Sequence, residues 1–400
     1  MVTLAQFDEL TTVAMAYWRG PGLLGVLLVG CAVTGCGGGV AAPVATGAPV
    51  TTGAPVANGA PGFVWYLQGA DTSLHRTDWS GQLGAAFAMP AAPSDMPHYP
   101  GKPAPKQLWA TGSVSPDGSR FVLSDGSVRS ADGAVVGHLD SNAGLLPVWA
   151  DDNRHFCQMT TPGYHSFGSG VLGGPAVLTW GAVGSAPRAV ATVGQFGANA
   201  DTTIEACSAR SGFAVLAERT ASALTQAAKT GLDPVTKLVV VNLSDGAVLY
   251  QHEYGVTSNP VGGTLVTVSS DGRYVAEVYT VVGQGPAARV QVRALPQGTV
   301  EATMGQTNVQ GFSGDDNFAF IGGRGMPDIA QIVNWRTGQV IRTELGGPLL
   351  GASQPGGTAF LVRKPTTRNG LLVNDLWLVP TSGPSRLVDT DVSDIYGSIS

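Results

Sequence analysis

Charge is what this chain has least of. Charged residues make up 12% of its 400 residues, the formal net charge is -6, and no long run of lysine or arginine occurs. Binding to a phosphate backbone needs a basic footprint, so nucleic acid is excluded as an expected partner. Helices with solvated faces need more charge than this, and the composition points instead to short strands. Linear catalytic signatures are missing as well: no Gly-x-Ser-x-Gly elbow, no His-Glu-x-x-His, no glycine-rich phosphate loop with lysine. The six histidines are scattered without metal-ligand spacing. No catalytic residue, metal or cofactor is therefore expected.

What the chain does have is 56 glycines, 26 prolines and a 44% hydrophobic fraction, enough for a large core cut by tight turns. The turns recur in pairs. A late signal, a glycine-bearing hairpin before a hydrophobic strand, occurs at Asp78-Trp79-Ser80-Gly81, Ala131-Asp132-Gly133, Gly184-Ser185, Ser244-Asp245-Gly246, Pro296-Gln297-Gly298, Arg336-Thr337-Gly338 and Thr381-Ser382-Gly383. An early signal occurs at Ser115-Pro116-Asp117-Gly118, Ala150-Asp151-Asp152-Asn153, Ala209-Arg210-Ser211-Gly212, Ser270-Asp271-Gly272, Asp315-Asp316-Asn317 and Gln354-Pro355-Gly356-Gly357. Units built this way cannot bury their own faces and must stack on neighbours in a closed ring. Each reads as a four-stranded antiparallel meander. Seven late hairpins stand against six early ones, so the first unit lacks its innermost strand. The terminal stretch Asp394 to Ile399 is expected to supply it.

Here the chain resembles TolB-like and WD-repeat-like β-propellers, whose units carry a Ser-Pro-Asp-Gly turn such as Ser115-Pro116-Asp117-Gly118. The resemblance covers roughly Phe63 to Ser400 and implies an all-β, seven-bladed β-propeller closed by the C-terminal strand. It implies a fold and no activity.

The first residues read as export machinery. Arg19 precedes the apolar run Leu23 to Val29, which ends in small residues and cysteine and is too short to span a bilayer comfortably. The segment resembles the signal of bacterial lipoproteins, with two overlapping lipobox sites, Leu28-Val29-Gly30-Cys31 and Val33-Thr34-Gly35-Cys36. Cys36 is favoured because a Gly/Ala/Pro/Thr tract begins immediately after it; Cys31 is the alternative. Asp8 and Glu9 stand where such a signal should be positive, so Met15 is the expected true start, against a retained helix over residues 3 to 29. The expected organisation is a signal over 1–36, a flexible tether over 37–62 and one propeller domain over 63–400. The resemblance implies export and lipid anchoring to the outer face of the cytoplasmic membrane or the cell surface. Scarce lysine beside arginine, with the Ala/Gly/Pro bias, fits a high-GC bacterial source.

Export brings oxidising conditions, which turns attention to the other two cysteines. Cys157 and Cys207 fall on strands that neighbouring blades would place side by side, so a disulfide is expected, the alternative being two buried thiols.

In a four-stranded blade the 1–2 and 3–4 turns lie on one face, and the 2–3 and interblade connections lie on the other. The tight hairpins belong to the first set. The long segments Met89–Lys106, Thr160–Pro175, Glu218–Thr236, Val281–Ala287, Gly322–Asp328 and Arg363–Asn374 belong to the second, where binding residues on a rigid scaffold concentrate. Their large polar and aromatic groups, His98, Tyr99, Tyr164, His165, Phe167, Arg324, Arg363, Lys364 and Arg368, form the candidate ligand face. The paired acids Asp151-Asp152 and Asp315-Asp316 fall at early turns and are read as hairpin caps. The expected function is a non-catalytic, monomeric binding module of the cell envelope for a protein, peptide or glycan, touching the membrane through its lipid alone. The alternatives are an envelope hydrolase or lyase with acids assembled from several blades at the central channel, and a structural spacer.

Overall fold

Twenty-eight strands, all antiparallel to their neighbours, form seven four-stranded sheets among the described residues. The computed structural model describes residues 62–397 except 70–72, 95–105, 140–146, 161–173, 197–199, 224, 226–233, 255–261, 282–288, 306–307 and 324–325.

Blade 1 begins with β1 (Phe63–Gln68), β2 (Ser73–Asp78) and β3 (Phe87–Ala88). Blade 2 is β4 (Ala110–Val114), β5 (Arg120–Leu123), β6 (Ser127–Ser130) and β7 (Val135–His138). Blade 3 is β8 (Val148–Trp149), β9 (His155–Thr160), β10 (Gly174–Ala182) and β11 (Arg188–Phe196). Blade 4 is β12 (Ala200–Ser208), β13 (Phe213–Thr220), β14 (Lys237–Asn242) and β15 (Val248–Glu253). Blade 5 is β16 (Gly262–Val268), β17 (Tyr274–Val281), β18 (Arg289–Ala294) and β19 (Thr299–Met304). Blade 6 is β20 (Val309–Phe312), β21 (Phe318–Gly323), β22 (Met326–Asn334) and β23 (Gln339–Leu345). Blade 7 is β24 (Leu349–Ser353), β25 (Phe360–Arg368), β26 (Leu371–Val379) and β27 (Arg386–Asp389).

The last strand, β28 (Val392–Tyr396), does not extend blade 7. It pairs with β1 through Trp65↔Tyr396, Tyr66↔Ile395 and Leu67↔Asp394, giving blade 1 the order β28-β1-β2-β3. Each blade's inner strand then touches the next, with β28 lying between β24 and β4, and the ring is closed. The fold is a seven-bladed β-propeller.

The core is partitioned by the period-two alternation of the strands. Along β12 and β13, Cys207, Ala214 and Leu216 face blade 3, whereas Ala206, Val215 and Ala217 face blade 5. Both sheet faces are buried, which is why Phe213-Ala214-Val215-Leu216-Ala217 is apolar without a break. Every interblade seam has its own cluster of this kind. Each fully buried Val, Leu or Phe in them contributes about 1.5–3 kcal/mol.

Three of the six early turns share one device. A serine hydroxyl donates to the aspartate two residues on: Ser115 to Asp117 (2.8 Å), Ser269 to Asp271 (2.9 Å) and Ser313 to Asp315 (2.5 Å). Asp117 then accepts the Ser119 amide at 2.9 Å, Asp315 the Asn317 amide at 3.1 Å and Asp152 the Arg154 and His155 amides at 3.0 Å. The cap reading thus holds for Asp152 and Asp315, whereas Asp151 and Asp316 bond across the interblade seams instead. Gly118 (φ 70°) is required twice over: a Cβ there would also sit 1.9 Å from the Phe63 carbonyl oxygen. The Phe63 amide donates to the Asp117 carbonyl at 2.8 Å, so the chain enters the ring on the tight-hairpin face.

At the equivalent left-handed position blade 3 has Asn153 (φ 59°) and blade 6 has Asp316 (φ 58°). Asp316 is buried, accepts Arg273 Nη2 at 2.6 Å through Oδ2 and has no hydrogen-bond partner for Oδ1 among the described residues. Burial, and then the charge of Asp271, push its carboxyl up to about 7 against the opposing pull of Arg273. A carboxyl raised on folding stabilises fully below its unfolded value near 4 and loses that contribution as pH rises to about 7. Asp316→Asn, a residue that tolerates this backbone conformation, is therefore expected to flatten the fall in melting temperature between about pH 4 and 7. An unchanged slope in thermal melts would show that Asp316 does not titrate there.

Candidate functional site

The two faces of the ring separate as expected. The six early and seven late hairpins join first to second and third to fourth strands on one face. β9, β13 and β17 end, and β10, β14 and β18 begin, on the other. Two segments read from sequence as irregular loops of that face are instead largely taken up by paired strands, with a register shift between Gly322 and Gly323 in blade 6 and no break in blade 7. β21 and β22 pair out to Gly323↔Met326, and β25 and β26 pair without a break from Phe360↔Val379 to Arg368↔Leu371. The cause in blade 7 is Asn369-Gly370, both at positive φ (51° and 76°), a two-residue turn that matches strand twist. β24 stops at Leu349↔Arg363 and β27 reaches only Leu376↔Asp389, so the ribbon runs on past both neighbours.

Of the predicted face residues, Arg363, Lys364 and Arg368 lie on this ribbon; His98, Tyr99, Tyr164, His165, Phe167 and Arg324 lie outside the described residues, as do Cys31 and Cys36. The ribbon does not bring its three cations to one point. Arg363 turns toward blade 1, where its Nη1 donates to the Ser393 carbonyl at 2.5 Å and stands 3.6 Å from Asp394. Burial pushes the Arg363 guanidinium down and the Asp394 carboxyl up, each partly offset by the other's charge. Lys364 turns the opposite way, with Nζ 2.5 Å from Glu344 Oε2 and 4.8 Å above the Trp377 ring. Glu344 also accepts Ser385 Oγ at 2.6 Å and Arg342 Nε. Burial opposes its charge, but bonds from Lys364, Ser385 and Arg342 outweigh that and hold it below the usual carboxylate range. Arg368 Nη2 donates to Asp375 Oδ1 at 2.8 Å across the hairpin. All three cations already serve to brace the ribbon.

What the ribbon exposes is apolar. Leu372 (76%), Leu345 (69%) and Leu371 (68%) are the most exposed large hydrophobic side chains among the described residues. Leu371 and Leu372 follow the ribbon turn, and Leu345 ends β23 on the same face of the adjoining blade, beside the Glu344–Lys364 bridge. At the channel, Glu205 of β12 accepts Thr203 Oγ1 at 2.7 Å and stands 3.5 Å from Arg219 of β13.

Cys157 and Cys207 form the expected disulfide, with Cα atoms 5.8 Å apart, joining β9 of blade 3 to β12 of blade 4. Above it, on the tight-hairpin face, is a cleft of about 350 Å³ that the sequence did not disclose, lined by Trp180, Arg188, Ser211, Asn242 and Leu243 among others. Trp180 stacks on His155 (centroids 4.9 Å, planes 10° apart), and His155 Nδ1 lies 2.5 Å from Asp152 Oδ2. Asp151 crosses the seam to accept the Ala209 amide at 2.8 Å. Each lining residue looks ordinary in its own strand; only the pairing of blade 3 with blade 4 makes a cleft.

No family model and no curated protein matches the chain. Among solved structures it is similar to prolyl oligopeptidase B from Galerina marginata bound to a 35mer hydrolysis and macrocyclization substrate, at 14% identity over 84% of this chain and 50% of that one, with a TM-score of 0.50. The chain thus spans half the length of that enzyme. It is also similar to the β-propeller domain of Cps50 (Swd1) from Myceliophteria thermophila, at 10% identity, 81% and 98% coverage and a TM-score of 0.42. A eukaryotic initiation factor matches at 11% identity, 84% and 98% coverage and a TM-score of 0.45. At such identities the likeness is one of fold.

Proposed function

We propose that the chain is an exported, lipid-anchored binding module of a bacterial cell envelope that engages a protein partner through its long-loop face without catalysis. The observation that carries the reading is the exposure of Leu371 and Leu372 at the tip of the blade 7 ribbon, whose charges are already neutralised within the molecule, and of Leu345 at the end of β23 in the adjoining blade. Large exposed apolar groups on a braced scaffold mark protein contact surfaces. A glycan reader would present aromatic rings there instead. The entry of the chain at Phe63 on the opposite face supports the same arrangement, since an anchor at Cys36 would leave the ribbon directed away from the attachment point.

The test is capture of envelope proteins by the full chain, compared with Leu371→Ser/Leu372→Ser. The leucines are solvent-exposed, so the melting temperature should hold, while recovery of the specific partner should fall at least tenfold. Equal recovery by the double variant would overturn the reading, as would turnover of an envelope substrate by the purified chain.

A further inference from the structure

We propose that the cleft between blades 3 and 4 is a second binding site, on the face opposite the ribbon, for a carboxylated sugar ring. Its walls are rigid. The disulfide lies directly beneath, since Trp180 is the register partner of Cys157 and Cys207 precedes Ala209 by two residues. One face of the Trp180 indole rests on His155, itself held by Asp152, so the ring is fixed in place rather than free to swing. A fixed, half-exposed indole presents a flat apolar surface to which the C–H face of a pyranose ring can stack.

The polar groups around that indole form a donor-rich set. Asn242 Oδ1 is consumed by the Ser244 amide (2.7 Å) and hydroxyl (2.8 Å), which leaves the Asn242 side chain only its N–H groups to offer. Arg188 is pinned by one guanidinium nitrogen on the Leu243 carbonyl, and no other protein acceptor takes its remaining N–H groups among the described residues. The Trp180 indole N–H likewise has no acceptor among the described residues, and no carboxylate lines the cleft. Donors in excess, one of them a guanidinium, are the complement of a carboxylate with neighbouring hydroxyl oxygens. A volume of about 350 Å³ is the lower end of the range for ligand sites and accommodates one ring. Together these features select an acidic sugar over a neutral one.

Titration of the full chain with glucuronate, followed by ligand-observed saturation-transfer NMR and calorimetry, tests the site, with glucose as the neutral probe. Saturable glucuronate binding is expected, with glucose at least tenfold weaker. Arg188→Gln should lose about tenfold in affinity, the scale of one charge-assisted hydrogen bond. Trp180→Phe, which keeps a stacking ring but removes the indole N–H, should lose a smaller factor. Arg188→Gln should melt like the parent, because Arg188 is exposed, whereas Trp180→Phe should melt somewhat lower, because Trp180 packs on the blade 3–blade 4 core. Leu371→Ser/Leu372→Ser should bind glucuronate unchanged, which separates this site from the ribbon. Absence of saturable binding, equal affinity for glucose, or full affinity in Arg188→Gln would each overturn the proposal.

Discussion

Replacing Cys157 and Cys207 together by alanine is expected to lower the stability of the ring by about 4 kcal/mol, because the bond closes a loop of 50 residues and its removal returns that loop-closure entropy to the unfolded chain. For a domain of this size that corresponds to a fall of roughly 5–10 °C in melting temperature. Both cysteines are fully buried in the blade 3–blade 4 cluster with Met159, Leu178, Ala214 and Leu216. Alanine is therefore the informative replacement; serine would add two buried hydroxyls and inflate the loss. The loss should appear equally in the parent chain under reductant. A melt indifferent to both treatments, with both thiols alkylating freely without reduction, would show that the bond does not form. The same variant separates two roles of the seam. If the bond serves only stability, glucuronate binding at low temperature survives; if it also fixes the cleft, affinity falls with it.

The fold was legible because its turns obey local chemistry. Positive φ at Gly118, Gly272 and Asn153 and the serine-to-aspartate caps at Ser115, Ser269 and Ser313 are readable without a partner strand. The count of turns gave the closing strand, and export chemistry pointed to the disulfide. The ribbon of blade 7 was misread because Arg363, Lys364, Pro365 and Arg368 look like loop residues, while the signal that decides the matter, Asn369-Gly370 between strand formers, spans two residues. The roles of its cations were not legible at all. Lys364 meets Glu344 of another blade, and Arg363 meets Ser393 and Asp394 of the closing strand, contacts that depend on the three-dimensional ring. The cleft escaped for the same reason. A face made only of short turns was assigned no role, yet short turns from two blades leave a gap between them.

Removing residues 391 to 400 is expected to abolish soluble, folded protein. β28 inserts Val392, Ile395 and Tyr396, all buried, between blades 7 and 2. Burying three such side chains contributes about 5–9 kcal/mol. Their loss would also uncover Val64, Trp65 and Tyr66 on β1, and it would strip the backbone of β1 of its inner partner. Domains of this kind are stable by only about 5–15 kcal/mol, so the sum exceeds what the ring can lose. A milder change calibrates the argument. Ile395 packs so closely on Gly351 that a Cβ on that glycine would lie 2.2 Å from Ile395 Cδ1. Ile395→Ala should then cost about 2–5 kcal/mol by opening a cavity at the closure while leaving a folded protein. Soluble truncated protein with the parent melting temperature would refute closure by β28. A folded Ile395→Ala together with an insoluble truncation would establish it, and would place the stability of all seven blades on a pairing between the first and last strands of the ring. Such a pairing has to wait until β28 has been made, so folding of the ring should be slow relative to its individual hairpins.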